Sequence, residues 1–295
     1  MWPLQPFTGT SRFNRRLPTS AASSTCFVQN RAPPVSLGAE RPLLQSPTEA
    51  TEVHGRDGLG GATYRRDAEG NLLYPEPSVP LDPRPATELI LQAAAAHPGE
   101  LTIAALGPLT NLALAARTDP ERIRLIREIL WMGGAFRRFG NCSPVAEFNA
   151  YADPHAAAIV LEAGVPLRIF PLDVTERIVL KPELVARYRQ TPLGRFVDHI
   201  TGHLFAFSRR VEGVEGMYVH DAATIAYLVE PERFRFLERW VVVETEGRWT
   251  RGQTIADLRR PPRFDGKRNA LLALDVEGEA PVRLLEERVL KGTGA

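Results

Sequence analysis

Short apolar runs alternate with longer amphipathic segments along the chain from about Arg84 onward. The runs over residues 101–106, 129–132 and 167–171 each end at Gly or Pro, and they predict buried strands. Later runs at 239–244, 250–257 and 270–276 also predict strands. The segments between these runs place apolar residues at helical spacing. Helices are predicted over residues 85–97, 110–116, 122–127, 153–163, 182–188, 192–208, 221–228 and 277–290.

Continuous apolar strands separated by helices are typical of a parallel sheet that is covered on both faces. The predicted fold class is therefore α/β, with a mostly parallel central sheet and helices on both faces. In such folds, ligands bind in the loops at the carboxyl ends of the strands. Thr110 and Asp153 stand at predicted helix starts, where we expect their side chains to act as N-caps, and Pro154 suits a first helical turn.

The most informative polar cluster follows the predicted strand 129–132 and its double glycine. It contains Asn141, Glu147 and Asn149, with Phe148 between the last two. Two amides and a carboxylate offer both donors and acceptors, which suits a polyol such as ribose. The alternative is a loop closed by Asx turns, with Glu147 at the surface.

His220 and Asp221 open a predicted helix, and His54 lies in a Gly-rich loop. Asp221 has two interpretations, a helix cap or a metal ligand. His220 would then be an acid or a leaving-group contact. His54 is either a similar contact or a solvated turn residue. His199 and His203 lie one helical turn apart, but no third ligand accompanies them, so both are interpreted as structural.

Composition narrows the class of partner. The 295 residues include 36 Lys and Arg against 35 Asp and Glu, and no charge run indicates a nucleic-acid interface. A small molecule is the expected partner, with no nucleic acid. The two cysteines, Cys26 and Cys142, are too few for a disulfide framework and favour a reducing, cytoplasmic compartment. No apolar stretch approaches about 20 residues, so no membrane partner is expected.

The N-terminal segment differs from the rest of the chain. Residues 1–39 contain four arginines and no acidic residue. The segment is also rich in Ser, Thr and Pro and shows no clear hydrophobic period. An organellar transit peptide, a disordered tail and an abnormal start that replaces the ordinary first elements are the three interpretations. We expect residues 1–33 to be an atypical, disordered segment and residues 34–295 to form a single domain.

Taken in order, the polar segments resemble the nucleoside hydrolase family of the inosine-uridine-preferring type. Examples are His54-Gly-Arg-Asp-Gly-Leu-Gly-Gly61, Leu106-Gly-Pro-Leu-Thr-Asn111 and Ala146-Glu-Phe-Asn149. Each motif alone is weak, whereas their shared order and spacing is specific. The matching stretches are 34–43, 54–61, 106–111, 132–134, 140–141, 146–149, 153–154, 173–175, 220–221 and 250–254.

The resemblance implies hydrolysis of the N-glycosidic bond of ribonucleosides to ribose and free base, with a calcium ion that binds water and the ribose hydroxyls. It implies that the Leu106 carbonyl and the Asp221 carboxylate are calcium ligands. His220 and His54 would be catalytic contacts to the leaving base. Homo-oligomers are usual in the family. The implied ribose-binding residues are Asn141, Glu147 and Asn149, with Met132 and Phe148 lining the sugar pocket.

The sequence departs from the family in one respect. Family members begin with a strand that ends in an Asp-rich motif, which supplies most calcium ligands and the general base. Here no aspartate precedes Asp57 and the resemblance begins near Pro34, so the first strand or strands are expected to be missing. Losing a general base lowers a rate by about 10²–10⁴-fold. We therefore expect an incomplete calcium site and weak or no hydrolysis, with an inactive nucleoside- or ribose-binding relative or a truncated product as alternatives.

Overall fold

A five-stranded, mostly parallel sheet lies at the centre of the part of the chain that the structure describes. This computed structural model describes residues 34–48, 50–75, 80–264 and 266–291. The strand order is β1–β2–β3–β9–β6, and only β6 runs antiparallel to its neighbour. Its strands are β1 (Thr102–Ala105), β2 (Glu128–Met132), β3 (Leu167–Phe170), β6 (Phe234–Arg239) and β9 (Ala270–Val276). The α/β prediction is confirmed.

Two short antiparallel pairs lie outside this sheet. One joins β4 (Val179–Leu180) to β5 (Met217–Tyr218), and the other joins β7 (Val242–Val243) to β8 (Thr254–Ile255). The β4–β5 pair ends two residues before His220, and β8 begins beside the loop that follows β2. Both pairs therefore bring residues that are distant in sequence to the carboxyl end of the sheet.

All eight predicted helices are present with shifted ends, and the structure adds three short helices that the hydrophobic spacing did not predict, Thr51–His54, Phe148–Ala152 and Leu172–Thr175. In chain order the helices are α1 (Thr51–His54), α2 (Ala86–Ala96), α3 (Thr110–Thr118), α4 (Pro120–Ile123), α5 (Phe148–Ala152), α6 (Pro154–Glu162), α7 (Leu172–Thr175), α8 (Pro182–Ala186), α9 (Pro192–Phe207), α10 (Ala222–Val229) and α11 (Glu279–Leu285). Wider helical turns extend α9 over Ser208–Glu212 and α11 over Glu286–Leu290, and short tight turns cover Ala62–Tyr64 and Pro231–Arg233.

Helices cover both faces of the sheet because successive strand residues point in opposite directions. On one face, Trp131 of β2 lies in the same apolar cluster as Leu112 of α3 and Val160 of α6. On the other face, Leu130 packs in a cluster with Ala223 of α10. Burial of Trp131 and Leu130 is complete. Both faces of β2 are thus buried, as its continuous apolar sequence predicts.

Two predicted details are wrong. Thr110 does not cap α3, because its hydroxyl donates to Asp153 Oδ2 at 2.7 Å. The strands predicted at 239–244 and 250–257 have other bounds. The first is divided between β6 and β7, and β6 begins earlier, at Phe234; the second is reduced to β8. Phe234 and Phe236 alternate with Arg235, but Leu237 breaks the two-residue period, so the sequence marks this edge strand poorly. Asp153 does cap α6, since its Oδ1 accepts the Ala156 N–H at 3.0 Å.

Within the described ranges, β1 forms one edge of the sheet. The chain from Pro34 to Gln45 instead lies over the helices beside it, where Ala39 N–H donates to Asn111 Oδ1 and Leu43 N–H donates to Asp153 Oδ2. The expectation for residues 1–33 lies outside the described residues. None of the described helices is both long enough and apolar enough to span a membrane.

Candidate active site

The predicted sugar loop begins at the double glycine after β2. Gly134 has a φ of 82°, in the left-handed region, and a Cβ at this position would lie 3.0 Å from Thr254 Oγ1. Glycine therefore satisfies both the backbone conformation and the close approach of β8. The Thr254 hydroxyl accepts the N–H of Ala135 and donates to its carbonyl oxygen, both at 2.9 Å. This pair fixes the loop against β8.

Glu147 is the centre of the loop and is only 2% exposed. Its Oε2 accepts the N–H of Gly134 at 2.9 Å and of Ala150 at 3.2 Å, and its Oε1 accepts the N–H of Asn149 at 2.9 Å. The carboxylate thereby caps α5 and ties this helix to the end of β2. The alternative of a surface glutamate is wrong.

Asn149 and Met132 are held together below Glu147. Asn149 Nδ2 donates to the Met132 carbonyl oxygen at 2.9 Å and contacts its Sδ at 3.6 Å. No hydrogen bond to Asn149 Oδ1 occurs within the described residues. Met132 is buried and Phe148 is half-buried. The structure therefore brings three of the predicted sugar-pocket residues together at the end of β2, with one amide oxygen of Asn149 still able to accept a hydroxyl.

Asn141 lies at the exposed side of the same loop. Its Oδ1 accepts the N–H of Phe148 at 2.9 Å, seven residues further on, so it closes the loop without forming the Asx turn of the alternative interpretation. The following chain passes very close to Gly140, where a Cβ would lie 2.1 Å from the Ala146 carbonyl oxygen. The Asn141 oxygen thus stabilises the loop, and its amide nitrogen remains the group available to a ligand.

His220 and Asp221 lie between β5 and α10, and both side chains are half-buried. The Asp221 side chain makes no capping hydrogen bond to α10, although it precedes the first helical residue. This is against the helix-cap interpretation. His220 Nδ1 lies 2.8 Å from Thr175 Oγ1, and the Tyr218 ring is tilted beside the imidazole with centroids 5.5 Å apart. The Asp221 carboxylate is therefore available for a ligand rather than used by the fold.

The charges of these groups act on one another. Burial raises the pKa of Glu147 to about 7, against the effect of its three N–H donors. Burial and then the Glu147 charge raise the pKa of Asp221 to about 7. Burial and then His54 lower the pKa of His220 to about 4. Glu147 is thus within electrostatic reach of Asp221, and His54 is within reach of His220. A pKa of about 4 leaves His220 neutral at pH 7.

His54 ends the short helix α1, which rests on α9. His203 Nε2 lies 2.9 Å from the Glu52 carbonyl oxygen, and a Cβ on Gly60 would lie 2.7 Å from the Ile200 carbonyl oxygen. Burial and then His203 lower the pKa of His54. His54 is thus part of a fixed loop rather than a solvated turn.

His199 and His203 have structural partners, as predicted. Tyr74 OH lies 2.8 Å from His199 Nδ1, and His203 contacts the α1 backbone. The thiol of Cys142 is not a nucleophile candidate, because burial and then Glu147 raise its pKa to about 11.

The described residues do not assemble a calcium site. Calcium takes about six to eight oxygen ligands. Asp221 supplies one carboxylate and Leu106, which follows β1, supplies one carbonyl, while both Glu147 oxygens accept backbone N–H groups. No group of three or more His, Cys, Asp or Glu side chains in the described ranges is close enough to hold a metal ion. The described donors alone do not fit calcium.

Sequence reasoning gave no role to three residues that organise this site. Thr175 contacts His220, Thr254 fixes the loop after β2, and Asp173 Oδ1 and Oδ2 accept the N–H groups of Arg137 and Phe136 at 2.7 and 2.8 Å. All three lie in motifs of the predicted family pattern. The position of these polar residues near strand ends is the sequence signal that could have identified them. Their hydrogen-bond partners are 36 or more residues away, so local sequence does not show which groups they contact.

A comparison with models of known protein families identifies the family of the chain. The family model described as inosine-uridine preferring nucleoside hydrolase matches residues 14–282. The chain belongs to this family. The match to the nucleoside hydrolase model begins earlier than Pro34, where the motif resemblance begins, and it spans all the site residues discussed above.

Relatives of this nucleoside hydrolase family member include enzymes from enteric bacteria. The pyrimidine-specific ribonucleoside hydrolase RihA of Klebsiella pneumoniae is 38% identical over 260 residues, covering 87% of this chain and 79% of the relative. The protein of the same name from Citrobacter koseri is 38% identical over 259 residues, with the same coverage.

Solved structures of nucleoside hydrolases have a fold similar to that of this chain. A plant nucleoside hydrolase, PpNRh1, has a TM-score of 0.77 and 28% identity, covering 88% of this chain and 80% of its own. A purine-preferring ribonucleoside hydrolase from Gardnerella vaginalis has a TM-score of 0.75 and 26% identity, with coverages of 85% and 78%. The chain thus belongs to the nucleoside hydrolase family by sequence and shares the fold of these solved structures.

Proposed function

We propose that this chain binds pyrimidine ribonucleosides and hydrolyses their N-glycosidic bond to ribose and free base. The observation that carries the proposal is the pair of carboxylates, Glu147 and Asp221, beside the neutral His220. The names of the RihA relatives favour pyrimidines over purines as substrates.

The sugar would lie at the end of β2. Asn149 Oδ1 is able to accept a ribose hydroxyl, and Asn141 has an amide nitrogen available to donate. Glu147 acts mainly by placing Asn149 and by its charge, because both of its oxygens already accept N–H groups. Met132 and Phe148 would line the sugar site and contact the apolar face of the sugar.

The reaction breaks the bond between the sugar C1′ and the base nitrogen, and the electron pair leaves with the base. A water oxygen then bonds to C1′, and the protons of that water go to the new hydroxyl and to the base. The sugar carries positive charge in the transition state. A carboxylate in a partly water-free site stabilises this charge more strongly than one in bulk water. Asp221 is the group we assign to that role.

Calcium is part of this proposal, with Asp221 and the Leu106 carbonyl as the protein's ligands, although the described donors are too few to form a complete site. The test therefore measures the effect of calcium on base release separately from the effect of the protein residues. We expect release of free base from uridine and cytidine to exceed release from inosine, and to fall when a chelator replaces calcium.

The experiment compares the purified chain with Asp221→Asn and with a matched control, Asp275→Asn. Asp275 is an exposed carboxylate that pairs with Arg177 and Arg235 outside the site. We expect Asp221→Asn to lower turnover by about 10²-fold or more and the control to leave it unchanged. Equal rates in both variants would contradict the role of Asp221.

A non-catalytic nucleoside-binding protein is the second candidate, favoured by the small number of carboxylates that the described site contains. It predicts saturable binding of uridine or ribose by calorimetry without release of base. Turnover in the same preparation excludes it, whereas binding without turnover contradicts the hydrolase proposal.

A further inference from the structure

Thr175 is a fully buried residue that contacts the Nδ1 side of the His220 imidazole. It is the last residue of α7, the short helix that follows β3, and its exposed fraction is 0%. Its hydroxyl oxygen lies 2.8 Å from His220 Nδ1. This contact joins two segments that are 45 residues apart in the sequence. The pair thus fixes the imidazole from a rigid position at the end of the sheet.

The burial of Thr175 decides which of the two groups donates the hydrogen bond. A threonine hydroxyl has one hydrogen to donate, and within the described residues its contact with His220 Nδ1 is the only hydrogen bond of the Thr175 side chain. If Nδ1 carried the proton, the hydroxyl would accept, and its own hydrogen would point into the buried interior without an acceptor. An unsatisfied buried donor is unfavourable, because the group has lost its hydrogen bonds to water without gaining another. Donation from the hydroxyl to an unprotonated Nδ1 avoids that cost.

The other ring nitrogen of His220, Nε2, is not used by the fold in the described part of the chain. Nε2 of His220 has no hydrogen-bond partner within the described ranges, and it is not among the buried unpartnered atoms, so solvent reaches it. In a neutral imidazole, one nitrogen carries the proton and the other is an acceptor. If Nδ1 accepts from Thr175, the proton must be on Nε2.

We propose that Thr175 is a positioning residue that holds His220 as the Nε2–H tautomer, so that an N–H donor faces the leaving base. The role at the base rests on the proposed hydrolase function. The tautomer itself does not. A neutral Nε2–H stabilises the negative charge that develops on the base by a hydrogen bond, and no proton leaves the imidazole. Removing the hydroxyl would allow Nδ1–H, which presents a lone pair to the base and repels that charge.

The test uses two-bond ¹H–¹⁵N correlation spectra, which distinguish the two tautomers of a neutral imidazole. Spectra of the full chain without substrate are compared with those of Thr175→Val, which keeps the shape, and Thr175→Ser, which keeps the hydroxyl. His220 resonances are assigned from His220→Gln. Thr201→Val is the matched control, because Thr201 is also a buried threonine and its hydroxyl donates within α9, to the Val197 carbonyl oxygen at 2.7 Å.

We expect Nε2–H in the wild-type chain, in Thr175→Ser and in Thr201→Val, and a shift toward Nδ1–H in Thr175→Val. We also expect Thr175→Val to lower kcat about 10-fold with little change in KM, and Thr175→Ser to restore it. Nδ1–H in the wild-type chain would overturn the proposal even if Thr175→Val fails to fold. An unchanged tautomer in a folded Thr175→Val would overturn it equally. A wild-type chain that shows Nε2–H but no turnover supports the role of Thr175 and contradicts the hydrolase function alone.

Discussion

Two loops of this protein hold a buried carboxylate with backbone N–H groups, yet the two carboxyls have opposite pKa shifts. Asp57 and Glu147 are each 2% exposed. Asp57 accepts the N–H groups of Leu59, Gly61 and Thr63 and the Thr63 hydroxyl, at 2.8–3.0 Å. These bonds outweigh burial and lower its pKa. Glu147 accepts three N–H groups, but burial prevails and raises its pKa to about 7.

The difference separates a structural carboxylate from one in a ligand site. The donors to Asp57 are on half-buried residues of one turn, and the group is stabilised where it stands. The donors to Glu147 are on fully buried residues, and its charge also raises the pKa of Asp221. Two buried carboxyls with raised pKa values, close enough for the charge of one to act on the other, are more typical of a ligand site than of a structural turn. The pKa of Asp57 is lowered instead, as expected for a carboxylate that the fold itself stabilises.

The largest expected effect is that of Glu147→Ala. The change leaves the N–H groups of Gly134, Asn149 and Ala150 without acceptors in a place that water does not reach, and it removes the cap of α5. We expect the free energy of unfolding to fall by about 3–5 kcal/mol, with loss of nucleoside binding. Denaturant titration and calorimetry measure the two effects. A loss below about 1 kcal/mol would show that water replaces the carboxylate.

Asp57→Ala is expected to cost less, about 2–3 kcal/mol, because Leu59, Gly61 and Thr63 are half-buried and water is able to reach some of the freed donors. The same denaturant titration applies. The change also loosens the loop that carries His54, so we expect weaker nucleoside binding only as a secondary effect. A greater destabilisation than that of Glu147→Ala would reverse the comparison between the two loops.

The smallest but most specific effect is on pH dependence. Because the pKa of Glu147 is raised, its contribution to the free energy of unfolding is fully present below about pH 4.5 and is lost as the pH rises to about 7. Because the pKa of Asp57 is lowered, its contribution is present above its ordinary pKa of 3.8 and is lost as the pH falls below that value. We expect Glu147→Gln to flatten the stability profile between pH 4.5 and 7, and Asp57→Asn to flatten it below pH 4. Stability curves from pH 3 to 8 test both, and parallel curves for the two variants would refute the assignment.

Much of the fold follows from the sequence because its signals are local. The strands at 102–105, 128–132 and 270–276 are continuous apolar runs, and Asp153-Pro154 marks the start of α6 by a cap and a favoured first residue. Thr110 has the same local signal but a different role, since Asp153 competes for its hydroxyl. The bounds of β6 differ from the prediction because this edge strand is neither a continuous apolar run nor a regular alternation, and its pairing with β9 is decided by the topology.

The candidate site likewise has some features that the local sequence predicts and others that depend on tertiary contacts. Local signals in the sequence show which polar residues follow the predicted strands, including Asn149, Glu147, His220 and Asp221, because strand ends and glycines are recognisable from their neighbours. How those residues are used depends on contacts that form only in the folded protein. It buries Glu147 rather than exposing it, and it leaves the Asp221 side chain out of the helix cap. It also places Thr175 against His220, because the environment of a side chain depends on segments that fold together from distant parts of the chain.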